Sequence, residues 1–141
     1  MHNLTSPRRD DDAIEQEIQA KGKTAARVTP ADLQANIASE HYFTAQEGVT
    51  GAAVLEFNVD SPEAMAEAAC SVSESPHALD FLTFCVLVLK NGFTVTGESA
   101  CASPENFDAE IGRKIARQNA EQKIWALMGY ALKERLHAER V

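Results

Sequence analysis

Residues 82–99 read Leu-Thr-Phe-Cys-Val-Leu-Val-Leu-Lys-Asn-Gly-Phe-Thr-Val-Thr-Gly-Glu-Ser. Two apolar runs flank Asn91-Gly92, a dipeptide whose members both tolerate positive φ and which is the strongest short hairpin signal. A two-residue turn there predicts a register in which Lys90 faces Phe93, Val88 faces Val95, Val86 faces Gly97 and Phe84 faces Ser99. Those pairs share one face of the ribbon, and Leu89/Thr94, Leu87/Thr96 and Cys85/Glu98 share the other. The first strand is apolar on both faces, which predicts a central position. The second carries Thr94, Thr96 and Glu98 on one face, which is expected to border water, a partner or a ligand.

Working outward, all five prolines follow Ser or Thr, and a hydroxyl at the N-cap before proline is a helix-start signal. Thr29-Pro30 is the best case, with Asp32 as the capping-box acid and Val28 placed to staple onto Leu33. Leu33 and Ile37 repeat at helical spacing, so a short N-terminal helix is expected from about Pro30 to about Glu40. Downstream, Ser103-Pro104 opens a helical pattern that reaches about His137. At about 1.5 Å per residue it would span roughly 50 Å, longer than a compact domain of this size at about 35–40 Å. It must therefore break near Asn106, Gly112 or Gly129, or project from the body. A projecting helix with Ile124, Trp125, Met128, Leu132 and Leu136 needs cover, and a second copy of the chain is the natural supplier.

The rest is less structured by pattern. Residues 1–27 are polar and predict a loosely ordered arm, with a turn or two of helix over Ala13–Ala20. Residues 45–80 are punctuated by Gly and Ser and read as an insertion, with a strand at Ala52–Val59 and a short helix at Pro62–Cys70. The expected architecture is α+β: a small antiparallel sheet built on the 82–99 hairpin, a short N-terminal helix and a long C-terminal helical segment. Residues 28–141 form a single domain.

The 141 residues are 45% hydrophobic, enough for one core. The longest apolar run, Leu82–Leu89, falls short of the roughly 20 residues of a membrane helix. The N-terminus has no apolar signal-peptide core, so the chain is expected to stay where it is made. Cys70, Cys85 and Cys101 are odd in number and form no C-x-x-C pair, which argues against a disulfide framework or a zinc knuckle. The net charge is −8. It is uneven: residues 1–103 hold 6 basic and 15 acidic side chains, residues 104–141 hold 7 and 6. Such a chain does not wrap duplex DNA unaided, although a compact basic cluster within it can hold a small anion.

No catalytic constellation stands out. His2, His41, His77 and His137 share no metal spacing. No phosphate loop is present, and Ser99-Ala100-Cys101 lacks the glycine frame of a nucleophile elbow. A spatial Cys101–His77 pair has nothing local to lower the thiol pKa. No enzyme, cofactor or metal is therefore expected. Arg113, Lys114 and Arg117 form a basic cluster one helical turn long, joined by Lys123. They read either as a solvated face paired with Glu110 and Glu121 or as an anion site. Favouring the latter are the polar hairpin face, the free N–H groups at the Ser103 helix start, and Phe93 beside Lys90. Aromatic stacking with guanidinium contacts holds nucleotides without a phosphate loop.

The run from Leu82 to Cys101, the segment Pro104-Glu105-Asn106-Phe107-Asp108 through Glu110-Ile111-Gly112-Arg113-Lys114-Ile115-Ala116, the steps Lys123-Ile124-Trp125 and Gly129-Tyr130, and Ser39-Glu40-His41-Tyr42-Phe43 resemble a family of small tailed-phage proteins. The likeness covers about half the chain and is ungapped over residues 82–136. That family in turn resembles the first-described Thoeris anti-defence proteins, phage-encoded sponges for cyclic ADP-ribose signals, some of which also hold cyclic oligonucleotides. The resemblance implies a homodimer or a trimer of dimers in the host cytoplasm, with ligand pockets at subunit interfaces. It marks Phe93, Thr96, Asn106, Arg113, Arg117 and Lys123 as candidate ligand-binding residues. The alternative is a phage interaction protein with no small ligand; an accessory nucleic-acid binder is disfavoured by the charge.

Overall fold

The computed structural model describes residues 11–56, 61–63, 66 and 78–140. The fold is α+β. In chain order come α1 (Asp11–Ala20), α2 (Pro30–Ala35), β1 (Ile37–Thr44), α3 (Ala45–Glu56), a 3-10 turn (Ala78–Phe81), β2 (Leu82–Leu89), β3 (Thr94–Ala100), a second 3-10 turn (Pro104–Asn106) and α4 (Ala109–Glu139). The three strands form one antiparallel sheet in the order β1-β2-β3. The apolar β2 is central, as its two apolar faces demand.

The hairpin is where expected, but its register is shifted by one residue. Leu87 faces Val95, Cys85 faces Gly97 and Thr83 faces Ser99. The connection is a three-residue loop. Gly92 N–H donates to Leu89 O at 2.8 Å, Leu89 N–H donates to Phe93 O at 2.8 Å, and Gly92 takes φ +90°. This is a turn closed by a glycine bulge, and the Asn91 side chain accepts from Phe93 N–H at 2.9 Å. Burial selects it. The two-residue turn would set Thr96 among Cys85, Leu87 and Leu89; the observed loop sets Val95 there instead, and all four are buried.

The helix starting at Pro30 forms with the expected capping box, Asp32 N–H to Thr29 Oγ1 and Thr29 N–H to Asp32 Oδ2, both at 3.0 Å. It ends at Ala35 rather than at about Glu40. Ile37 opens β1, because β2 is apolar on both sides and a second neighbour satisfies its free edge. The strand expected from Ala52 is replaced by α3 through Glu56, whose first turn is capped by Thr44: Glu47 N–H donates to Thr44 Oγ1 at 3.1 Å and Thr44 Oγ1 to Glu47 at 3.3 Å. Residues 57–59 of that expectation lie outside the described residues. So does most of the Pro62–Cys70 helix, of which residues 62, 63 and 66 are helical. In the arm, residues 11–20 form a ten-residue helix, longer than expected, that buries no side chain.

The C-terminal helical pattern breaks where Asn106 suggested it would. Pro104–Asn106 is only a 3-10 turn, and α4 starts afresh at Ala109 with Asp108 as N-cap, accepting from Ile111 N–H at 3.0 Å. It then continues through Gly112 and Gly129 for 31 residues, about 46 Å at 1.5 Å per residue. Its first half lies on the sheet. A Cβ on Gly112 would come 3.0 Å from Thr83 Oγ1, and Ala116 and Ala120 press their backbone onto Gly97. Beneath α4 lies the core of Leu33, Cys85, Leu87, Leu89, Val95, Ala116, Ala120 and Ile124, with Ile37, Tyr42, Trp125 and Met128 packed at its margin. Ile124 is therefore core within its own protomer, which removes it from the stripe expected to need a second copy.

Candidate functional site

The lateral contacts of α4 separate its side chains into two flanks. Toward β1 and α2, Arg117 ion-pairs with Glu40, donates from Nε to Glu121 Oε1 at 2.8 Å and from Nη2 to Gln34 Oε1 at 2.8 Å. Toward β3, Asn119 donates to Glu98 O at 2.7 Å, and Lys123 Nζ lies 3.5 Å from Thr96 Oγ1. The first flank is a clamp: one guanidinium joins helix, sheet edge and α2, and its donors are engaged. On the second flank Asn119 is firmly bonded, whereas the Lys123–Thr96 contact of 3.5 Å is at the limit of a hydrogen bond.

Of the six candidate residues, Thr96 and Lys123 meet directly. Arg113 and Arg117 stand one helical turn apart on α4, but only Arg117 is paired. Arg113 is exposed and makes no hydrogen bond or ion pair among the described residues, whereas Lys114 beside it pairs with Glu110 at 3.3 Å. Phe93 is 53% exposed at the hairpin loop. Asn106 closes the second 3-10 turn, beyond the other end of β3. The helix start expected at Ser103 makes no side-chain cap, and the true α4 start is occupied by Asp108. Gly112 rests on Thr83, the partner of Ser99, which puts Arg113 near the Ser99 end of β3. Phe93 lies at the opposite end, about 20 Å away at 3.3 Å per strand residue. One protomer thus does not gather the six side chains into one pocket.

Other features of these surfaces escaped sequence reasoning. Tyr130, 71% exposed, and Leu127 lie two turns and one turn beyond Lys123, leaving an aromatic and an aliphatic side chain uncovered. On the α2 flank, Lys90, Arg27 and Arg135 converge with Met128 and Leu132 around a groove of about 710 Å³. The sequence marked Met128 and Leu132 as apolar side chains in need of cover, but nothing in it placed the three cations around them.

Under α4, Tyr42 is held against Cys85. Burial first, then the neighbouring thiol, pushes the phenol up to about 12, and burial pushes the Cys85 thiol up as well. An unfolded tyrosine ionises near 10. The tyrosine contribution to stability is therefore complete below about pH 10 and is lost as pH rises toward 12. A spectrophotometric titration should show a phenol ionising near 12 that vanishes in Tyr42→Phe. Cys101 donates its thiol to Ser103 O at 3.1 Å, and His77 lies outside the described residues. Among the described residues no group of three metal-ligating side chains is assembled, and no helix is long and apolar enough to cross a membrane.

The chain is thus a small α+β body carrying a long helix, with Arg113, Phe93 and Tyr130 exposed on its surface. The chain itself belongs to the phage protein (N4 Gp49/phage Sf6 gene 66) family, whose profile matches residues 28–136. The match begins just before α2 and ends within the last turn of α4, so α1 lies outside it. No curated protein and no solved structure matches the chain significantly.

Proposed function

We propose that this phage protein is a non-catalytic sponge that binds a cyclic nucleotide immune signal, of the cyclic ADP-ribose type or a cyclic oligonucleotide, in the cytoplasm of the bacterial host. The observation that carries the reading is the contrast between Arg113 and Arg117. In a chain of net charge −8, an anionic ligand needs fixed positive charge. Arg117 is committed to Glu40 and Glu121, whereas Arg113 has no partner among the described residues and presents a guanidinium fork suited to two phosphate oxygens. Phe93 supplies an exposed ring for a base, worth about 1–3 kcal/mol of stacking. Because Phe93 and Arg113 stand at opposite ends of β3, a pocket using both takes them from two copies. Leu127 and Tyr130 offer exposed apolar surface on α4 for that contact.

Ligand binding and sedimentation test this. In a thermal-shift panel of cyclic ADP-ribose isomers and cyclic oligonucleotides, the cognate signal at a hundredfold excess over its Kd should stabilise the fold by about 2.7 kcal/mol. Arg113→Ala and Phe93→Ala should each weaken binding at least tenfold, about 1.4 kcal/mol, and the ligand should be recovered intact. No shift with any member would favour the protein-interaction alternative, and recovery of a cleaved ligand would reveal an enzyme. In addition, Leu127→Asp should shift the protein to monomer in sedimentation velocity. A wild-type chain that is already monomeric at high concentration would exclude the shared pocket.

A further inference from the structure

The groove on the α2 flank of α4 lies apart from all six residues considered above. Its floor is apolar, from Val28, Met128 and Leu132, and its rim is cationic, from Arg27, Lys90 and Arg135. Its volume of about 710 Å³ is within the roughly 300–1,000 Å³ of small-molecule sites. The one carboxylate in its wall, Asp32, is already used to cap α2.

The three cations differ in availability. The Lys90 backbone is fixed by its N–H bond to Asn36 O at 3.0 Å, and its ammonium has no partner among the described residues. Arg135 is only loosely paired, to Glu139 at 3.8 Å with both side chains about two-thirds exposed, and such surface pairs contribute little. Arg27 is spent. Glu15 of α1 grips it with two hydrogen bonds, one of them Nη2 to Oε2 at 2.6 Å. The Arg27 guanidinium holds the Glu15 carboxyl at about 2, so the pair stays charged at neutral pH.

The helix supplying that carboxylate is acidic and lightly held. It carries Asp11, Asp12, Glu15 and Glu17, has no basic residue, and buries no side chain. Besides the ion pair, it leans Ile14 and Ile18 toward Val28, Pro30 and Trp125 across a shallow apolar gap. Its link to α2 turns at Gly22, which takes φ +68°. None of its residues belongs to the buried core beneath α4.

We propose that this groove is a binding site for an organic anion with a flat apolar flank, and that α1 is its built-in competitor, acting by neutralising Arg27. The occupant follows from charge and shape. The apolar floor takes the flank, and Lys90 and Arg135 take the anionic group. The distal α4 of a second copy fits less well, because Glu134 and Glu139 are offset there by Lys133, Arg135 and Arg140, leaving no net negative charge for the groove's cations. An anion entering the groove gains Arg27 only by outcompeting Glu15.

The test uses the full-length protein and the aromatic sulfonate 8-anilinonaphthalene-1-sulfonate as probe, titrated by fluorescence. Glu15→Gln should tighten binding at least threefold. Lys90→Glu should weaken it at least fivefold, with circular dichroism verifying that each variant stays folded. In an Arg27→Gln background, Glu15→Gln should no longer change the affinity, since the competitor acts through that side chain. An unchanged affinity in Lys90→Glu would put the probe elsewhere and overturn the site. An effect of Glu15→Gln that survives the loss of Arg27, or no effect of it at all, would overturn the competition. Probe binding that rises only as the protein dissociates on dilution would show the groove to be filled by a second copy, which also overturns the proposal.

Discussion

Replacing Gly97 by valine should leave a chain that no longer folds at ordinary temperature. In isolation the exchange favours a strand, because valine has high β propensity and glycine low. The surroundings reverse the sign. A Cβ at position 97 would overlap the carbonyl oxygen of Ala116 and the amide nitrogen of Ala120, and would stand 3.0 Å from Ala120 Cα. These are backbone atoms of a continuous helix, so no side chain can rotate away. α4 would have to lift off the sheet, opening the layer that buries Cys85, Leu87, Leu89, Val95 and Ile124. Overpacking in cores that can adjust costs about 1–3 kcal/mol. Here the cost should exceed that and approach the whole stability of a small domain, about 5–15 kcal/mol. Thermal melts by circular dichroism should show Gly97→Ala strongly destabilised and Gly97→Val without a cooperative transition. A valine variant melting like wild type would mean that α4 does not lie on β3.

The same contact explains what could be read of the fold. Asn91-Gly92 announced the hairpin, but that dipeptide serves both a two-residue turn and a three-residue loop closed by a bulge, which differ by one residue of register. The pattern that decides between them lies elsewhere. Gly112, Ala116 and Ala120 recur every four residues, a small-residue face that lets a helix approach a sheet closely, and Gly97 is the strand residue with room beneath it. Matching the two places Gly97, and with it Val95 and Ser99, on the covered face. Ile37 misled for a different reason. Its spacing from Leu33 fits a helix, and Ile37–Thr44 shows no clean alternation to announce a strand, yet pairing with the free edge of β2 outweighs local preference. The α3 start was visible as Thr44-x-x-Glu47.

The candidate site was legible as chemistry but not as geometry. Composition and local order mark Arg113, Arg117, Lys123 and Phe93 as candidates for the proposed ligand site. They do not tell which carboxylate each will meet. Arg117 is neutralised in part by Glu40, on a strand far away in sequence, and Arg113, one turn earlier, is not. Likewise Lys90 and Arg135 share a groove only because α4 runs back past the hairpin loop. Pairings between distant residues follow from topology, and helical periodicity carries no information about them.

Ile124 tests where the protomer ends and the surface begins. Its spacing with Met128, Leu132 and Leu136 suggests one continuous stripe, yet it is 0% exposed within the chain and among the largest fully buried side chains, whereas Leu132 and Leu136 are half-buried. Truncation to alanine removes buried methyl groups and leaves a cavity that rigid neighbours fill poorly. Its neighbours are poor at collapsing inward: Ala120 one turn before it is already small, and Leu87 and Cys85 lie on the central strand. The cost should be about 2–5 kcal/mol. At roughly 3–4 °C of Tm per kcal/mol for a domain of this length, Ile124→Ala should melt about 10 °C below wild type. Leu136→Ala, with little buried area to lose, should change Tm by a few degrees at most. Neither substitution should alter the sedimentation behaviour of the folded protein. If Ile124→Ala instead dissociates an oligomer while leaving the melting of the monomer unchanged, Ile124 faces another copy, and the intramolecular core ends at Ala120.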